Sequence, residues 1–331
     1  MARIEYDEFG LFHENASEYG LPFAAPPIVR RVSVPTPGAP HVSALVWGDA
    51  PAEIVFVHGG SQNAHTWDTV IMAVDRPAVA VDLPGHGHSG WREDGMYTPP
   101  ELARDVAAAV EQLAPDAHLV VGMSLGGLTS MVLAARRPDL VRNLMMVDVT
   151  PGVNRQKAKA IIDFVNGPQS FESFDDLLQR TIEHNPTRSV SSLRRGILHN
   201  AVQRDDGSWA WRYDRRGHGR TSDDTGDDDR DATAEQMSPL WDDFGRIACP
   251  VTVVRGSLSP VVDDDDIAEC RRRLPSVRVE VVDGAGHSIQ GDRPLELAGL
   301  VGDLLAGRSG WPGDSTDRRV SEVSERWRSK D

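Results

Sequence analysis

Residues 118–127 read HLVVGMSLGG: an apolar run, a serine between small residues, and then residues at helical spacing. Gly122 and Gly126, two before and two after Ser124, permit a sharp strand-to-helix turn that exposes the hydroxyl and leaves the N–H of Leu125 unused. Five residues of this kind arise by chance, and an incidental glycine turn is the plain alternative. Between a buried strand and a helix from Leu125 to Arg137, with a further Gly127, the pattern marks Ser124 as a nucleophile. The uncharged window Ala117 to Ala135 is long enough to raise the question of a membrane span. Its glycines and central serine divide it instead into strand, turn and helix.

Outward from this stretch the same alternation continues. EIVFVHG, AVAVDLPG and NLMMVDV are short apolar runs, and a helix is expected from Pro99 to Leu113. Strands apolar on both faces and separated by helices indicate a mostly parallel sheet covered on both sides. Upstream, after a polar lead-in, IVRRVSVPT and HVSALVWG read as two strands around a Pro/Gly turn. Downstream, from about Pro151 to Leu240, strand runs give way to amphipathic pieces such as RQKAKAIIDFV and FDDLLQRTIEH, the segment DGSWAWRYD and an acidic stretch. The alternation returns with CPVTVVRG, a helix from Asp264 to Leu274, VRVEVVDG and a last helix from Pro294 to Leu305. The expected organisation is a core of residues 1–150 and 241–306, a helical insertion at 151–240, and a mobile tail at 307–331 with little apolar area to bury.

The charge balance narrows the partners. Thirty-five Lys and Arg stand against 50 Asp and Glu, a net charge of −15 that repels phosphate backbones and anionic membranes. A small-molecule substrate is therefore expected, with no nucleic-acid or membrane partner. Cys249 and Cys270 have neither CxxC nor Cys/His spacing, and no HExxH occurs, so no disulfide framework or metal site is expected. The N-terminal stretch has neither a basic start nor an apolar run of signal-peptide length, which points to the cytoplasm.

A serine hydroxyl needs a positioned base. His287, in Gly284-Ala285-Gly286-His287, follows the apolar strand VRVEVVD and would stand at the C-terminal sheet edge, where open α/β sheets bind ligands. The other histidines lack such a setting. His58-Gly59-Gly60-Ser61 follows the strand EIVFV, and its glycines let the N–H of Gly60 join that of Leu125 in holding a developing oxyanion. His58 itself reads as a structural hydrogen-bonding residue, and His86 and His88 as loop packing.

VFVHGG, VDLPGHGHSG, VVGMSLGG and GAGHS, in this order and spacing, resemble the α/β-hydrolase fold superfamily from about residue 28 to 306. The resemblance implies an eight-stranded, mostly parallel sheet flanked by helices, a helical lid inserted after the sixth strand, a Ser-His-acid triad and no cofactor. One position departs from the pattern. Where most members carry the acid after the seventh strand, this chain reads Gly256-Ser257-Leu258-Ser259-Pro260, with a serine in place of the aspartate. Some branches take the acid from the end of the sixth strand, and here Asp148 stands 24 residues after Ser124. The run Asp263 to Asp266 is the competing source, although it also reads as the opening of a helix, and a site without a functional acid is the third reading.

The expected activity is hydrolysis of a carboxylic ester or lactone through an acyl-enzyme. Phe164, Phe171, Phe174, Trp209 and Trp211 in the insertion suggest a small apolar or aromatic substrate. The alternatives are a C–C bond hydrolase, a cofactor-free perhydrolase, or a non-catalytic receptor on the same fold. The acyl group, the leaving group and the oligomeric state are not specified by the sequence.

Overall fold

Alternation along the strands sets the layers. β1 (Val29–Val34), β2 (Val42–Trp47), β3 (Ile54–Val57), β4 (Ala78–Val81), β5 (Leu119–Met123) and β6 (Leu144–Val147) form the first part of the sheet. In the computed structural model, which describes residues 4–153, 156–217, 239–307 and 318–320, these strands are almost entirely buried beyond β1. Val55, Val57, Val120 and Met146 face one layer of helices, while Ile54, Phe56, Val121 and Met145 face the other. Burying each such side chain contributes roughly 1.5–3 kcal/mol.

The first layer holds α3 (Pro99–Leu113) and α4 (Leu125–Arg136), and the second holds α1 (Phe12–Tyr19) and α2 (Asp68–Val74). Prolines open α3, where a missing N–H costs nothing. The lead-in expected to be merely polar contains α1, closed by Gly20 in the left-handed region (φ 65°). The segment before α1 is tied to the core through Glu8, which pairs with Arg31 and with His65. Burial alone would depress His65, but the Asp68 and Glu8 carboxylates push its pKa up to about 9.

Between β6 and the strand that returns to the sheet lie α5 (Lys159–Val165), β7 (Ser170–Phe171), α6 (Phe174–His184), α7 (Val190–Asn200), β8 (Ala201–Gln203) and β9 (Trp209–Trp211). The insertion is therefore not purely helical: β7, β9 and β8 form a small antiparallel sheet. Strands of two or three residues are too short for an alternation to register in sequence. Ser173 and Ser189 cap α6 and α7, accepting from Asp176 N and Ser192 N. The insertion's aromatics pack on one another, Phe174 against Trp209 at 5.1 Å and Phe164 against Trp211 at 6.0 Å between centroids. They form a core of their own, which removes the argument from these residues for an aromatic substrate. The acidic stretch lies outside the described residues.

β10 (Val251–Gly256), α8 (Asp264–Arg273), β11 (Arg278–Val282), α9 (Ile289–Asp292) and α10 (Pro294–Leu305) complete the fold, with α8 in the first layer and α10 in the second. The sheet order is β1-β2-β4-β3-β5-β6-β10-β11, antiparallel at β1/β2 and β2/β4 and parallel elsewhere. A ninth strand, β12 (Arg318–Val320), pairs with β11 at the edge, so part of the segment expected to be a tail joins the sheet. No helix among the described residues is long and apolar enough to cross a membrane.

Register then places the loops. Val57 lies opposite Gly122, Met123 opposite Val147, and Val147 opposite Val254. The chain leaves β3, β5, β6 and β10 at one level of one edge, so residues 58–61, Ser124 and Asp148 emerge side by side.

Candidate active site

Ser124 adopts φ 49° and ψ −119°, a strained conformation for a residue with a side chain. Its N–H donates to Val147 O at 3.1 Å, which fastens the turn to β6. The flanking glycines are required by close approach. A Cβ on Gly126 would lie 2.3 Å from the carbonyl oxygens of Val57 and His58, and one on Gly122 would lie 2.4 Å from Gly126 O. Gly126→Ala is accordingly expected to destabilise the fold by about 3 kcal/mol, read as a fall in Tm. An unchanged Tm would show that the turn is looser than described.

Asp148 follows β6 directly, with φ 51° and its own N–H donating to Val254 O at 2.7 Å. Its side chain is fully buried, and its three donors converge from the C-terminal part of the chain. Gly256 N donates to Oδ1 at 2.9 Å, and the Ser259 hydroxyl and His287 Nδ1 both meet Oδ2, the latter at 2.8 Å. The His287 loop is held by Gly286 N donating to Asp292 Oδ2 at 2.7 Å and Gly284 N donating to Ser257 Oγ at 2.9 Å. Bonded to Asp148, His287 stands over the end of β6, the neighbour of the strand that carries Ser124. Among the described residues Ser124 Oγ makes no hydrogen bond; nucleophile–base contacts are often long before substrate binds.

Three of the four competing acids are engaged elsewhere. Asp263 caps α8 in a reciprocal arrangement with Asp266, Lys157 pairs with both at 2.8 and 2.7 Å, and Asp264 pairs with Arg255 at 2.7 Å. The structure brings His287 to Asp148.

The loop after β3 packs on Ser124, since a Cβ on Gly59 would meet Ser124 Cβ at 3.2 Å and Met123 Sδ at 2.4 Å. His58 is fully buried, donates from Nδ1 to Gly59 O at 2.7 Å and accepts from Leu83 N at 2.9 Å. Burial lowers its pKa, against the opposing pull of Asp82. It therefore binds two backbone segments as a neutral ring. His86 is likewise buried, with Nδ1 donating to Pro84 O at 3.0 Å. Leu125 begins α4, where the helix offers its N–H no acceptor, and among the described residues neither that N–H nor the Gly60 N–H donates to a backbone carbonyl.

The insertion meets this edge at three loops. Asn200 Nδ2 donates to Ser61 O at 2.6 Å, Thr187 Oγ1 to Asp292 Oδ1 at 2.9 Å, and Tyr213 bridges to His86. Sequence reasoning did not assign Asn200, Asp292 or Ser259 to the site. Only Ser259 carried a signal, as the residue standing where an acid was expected.

Comparison with known proteins places the chain in a family. The profile of the alpha/beta hydrolase fold matches residues 53–294. The esterase Rv0045c of Mycobacterium tuberculosis is 44% identical over 306 residues, covering 90% of this chain and 96% of that protein. Its structure, described together with transition metal inhibition, superposes with a TM-score of 0.78 over 92% of this chain and 100% of that one. The 3-hydroxybutyrate-oligomer hydrolase of Cupriavidus necator is 30% identical, covering 76% of this chain and 88% of its own length.

Proposed function

The chain belongs to the α/β-hydrolase fold family and is a hydrolase, and we propose that it is a serine esterase in which Ser124, His287 and Asp148 form the catalytic triad. The observation that carries this reading is the 2.8 Å bond from His287 Nδ1 to the buried Asp148, beside the strained turn at Ser124. His287, fixed in the Nδ1–H tautomer, presents Nε2 as the base that takes the Ser124 proton. The serine oxygen attacks the ester carbonyl, and the N–H groups of Gly60 and Leu125 hold the resulting oxyanion. His287 returns the proton to the leaving alcohol, and water activated by the same ring then releases the acid. The insertion serves as a lid, a role supported by its contacts with the loops around the site.

The substrate class is a carboxylic ester or lactone of modest size. The relatives support the ester bond: one is named an esterase and another hydrolyses 3-hydroxybutyrate oligomers. The test is a panel of p-nitrophenyl esters of graded chain length, several lactones and an aryl diketone. Turnover of esters or lactones is expected; cleavage of the diketone alone would establish C–C bond hydrolysis instead. The mechanism uses no metal, so activity is expected to survive EDTA, and loss restored by one divalent ion would contradict it.

Ser259 acts as a positioning residue, since its hydroxyl donates to the same Asp148 oxygen that accepts from His287. Losing one hydrogen bond to a charged group costs roughly 1.5–3 kcal/mol. Ser259→Ala should therefore lower kcat by about tenfold or more with KM nearly unchanged, and Ser259→Thr should recover most of it. A full rate in the alanine variant would remove Ser259 from the site.

A further inference from the structure

We propose that His65, Asp68 and His199 form a binding site for one divalent transition metal ion, where the insertion joins the sheet domain. His65 lies in the single turn Ala64–Trp67, Asp68 opens α2, and His199 stands near the end of α7. One ligand atom from each falls within 4.8 Å of the others, and all three residues are buried. His65 Nδ1 is 2.9 Å and His199 Nε2 3.9 Å from Asp68 Oδ2.

Two buried atoms in this cluster, His199 Nε2 and Asp68 Oδ1, have no hydrogen-bond partner. Buried polar atoms are almost always satisfied, and such exceptions call for an explanation, an absent ion among them. The opposite ring nitrogens are held from behind, His65 Nε2 by Glu8 Oε1 at 3.1 Å and His199 Nδ1 by the Tyr6 hydroxyl at 2.8 Å. Metal-binding imidazoles typically carry such outer partners, which fix the ring and its tautomer. Arg31 does not compete, being committed to Glu8 and Asp82. Two imidazoles and one carboxylate favour zinc, nickel or cobalt over calcium or magnesium.

The rings stack with centroids 3.8 Å apart and planes 9° from parallel, so a shared ion requires one ring to turn. His199, with its inner nitrogen unbonded, is that ring, and the Tyr6 hydroxyl can rotate with it. A cavity of about 370 Å³ lined by Glu5, Tyr6, Leu198, Trp209 and Arg212 lies on the far side of Tyr6, the residue bonded to His199. Asn200, next in sequence to His199, supports Ser61 beside the oxyanion loop. Turning His199 would disturb that support and inhibit hydrolysis, a consequence that rests on the proposed esterase mechanism, whereas metal binding does not.

The test is calorimetric titration of the full chain with zinc or nickel alone, together with the visible absorption of added cobalt. One ion per chain is expected, with affinity reduced at least tenfold in His199→Gln and in Asp68→Asn and retained in His287→Ala; melting curves establish that each variant is folded. His199→Gln keeps a side chain able to bond Tyr6 and decides the matter if Asp68→Asn does not fold. Wild-type affinity in His199→Gln, or loss of binding in His287→Ala, would overturn the site. Binding by the cluster without any inhibition of ester hydrolysis would uphold the site and refute its coupling to Ser61. If no ester is hydrolysed at all, titration still decides the binding.

Discussion

Replacing Ser124 with alanine is expected to lower ester turnover by at least about 10⁴-fold, because the remaining oxyanion donors and binding contacts retain only a small part of triad catalysis. The fold should survive. Position 124 already carries a side chain at φ 49°, so alanine introduces no new backbone strain. Removing the hydroxyl leaves no orphan, as Ser124 Oγ makes no hydrogen bond among the described residues. The check is kcat/KM on the best ester of the panel alongside the melting curve. A folded variant within tenfold of wild type would mean that another group attacks the carbonyl.

Asp148→Asn carries the second large effect, on the order of 10⁴ in kcat, the loss seen when a triad aspartate becomes asparagine. The reason is local. Asp148 is a pure acceptor receiving from Gly256 N, Ser259 Oγ and His287 Nδ1. An asparagine amide would set its own donors against one or more of these groups and turn the imidazole to the wrong tautomer. Asp263→Asn should stay within about twofold, because asparagine caps a helix as well as aspartate does and the Lys157 partner keeps Asp266. If the effects were reversed, the acid would belong to the α8 region and the relocated-acid reading would fall.

The legible parts of the fold were those with long periods or firm punctuation. The α3 bounds, Pro99–Leu113, match the expectation because two prolines open it and an amphipathic stripe follows. By contrast α2 was not read, since Asp68, Thr69, Val70 and Ile71 are buried in succession and present no stripe. The strands β7 to β9 were missed through shortness. In the site, Ser124 and His287 were visible from local motifs at a sheet edge. The pairing of His287 with Asp148 spans 139 residues and depends on β6, β10 and β11 lying side by side, which no local pattern states. Ser259 shows the limit most clearly. A serine cannot balance an imidazolium by charge, and only the three-dimensional contact shows that its hydroxyl donates to the Asp148 oxygen that also accepts from His287.

The central claim, a serine nucleophile activated at the edge of β5, is tested most directly by covalent labelling. Incubation of the full chain with a fluorophosphonate, followed by intact-mass measurement and peptide mapping, should give one adduct per chain on Ser124. No adduct should form on the folded Ser124→Ala variant, and labelling of Asp148→Asn should be much slower. A wild-type chain that hydrolyses esters without labelling, or an adduct mapped to another residue and unchanged in Ser124→Ala, would contradict the account.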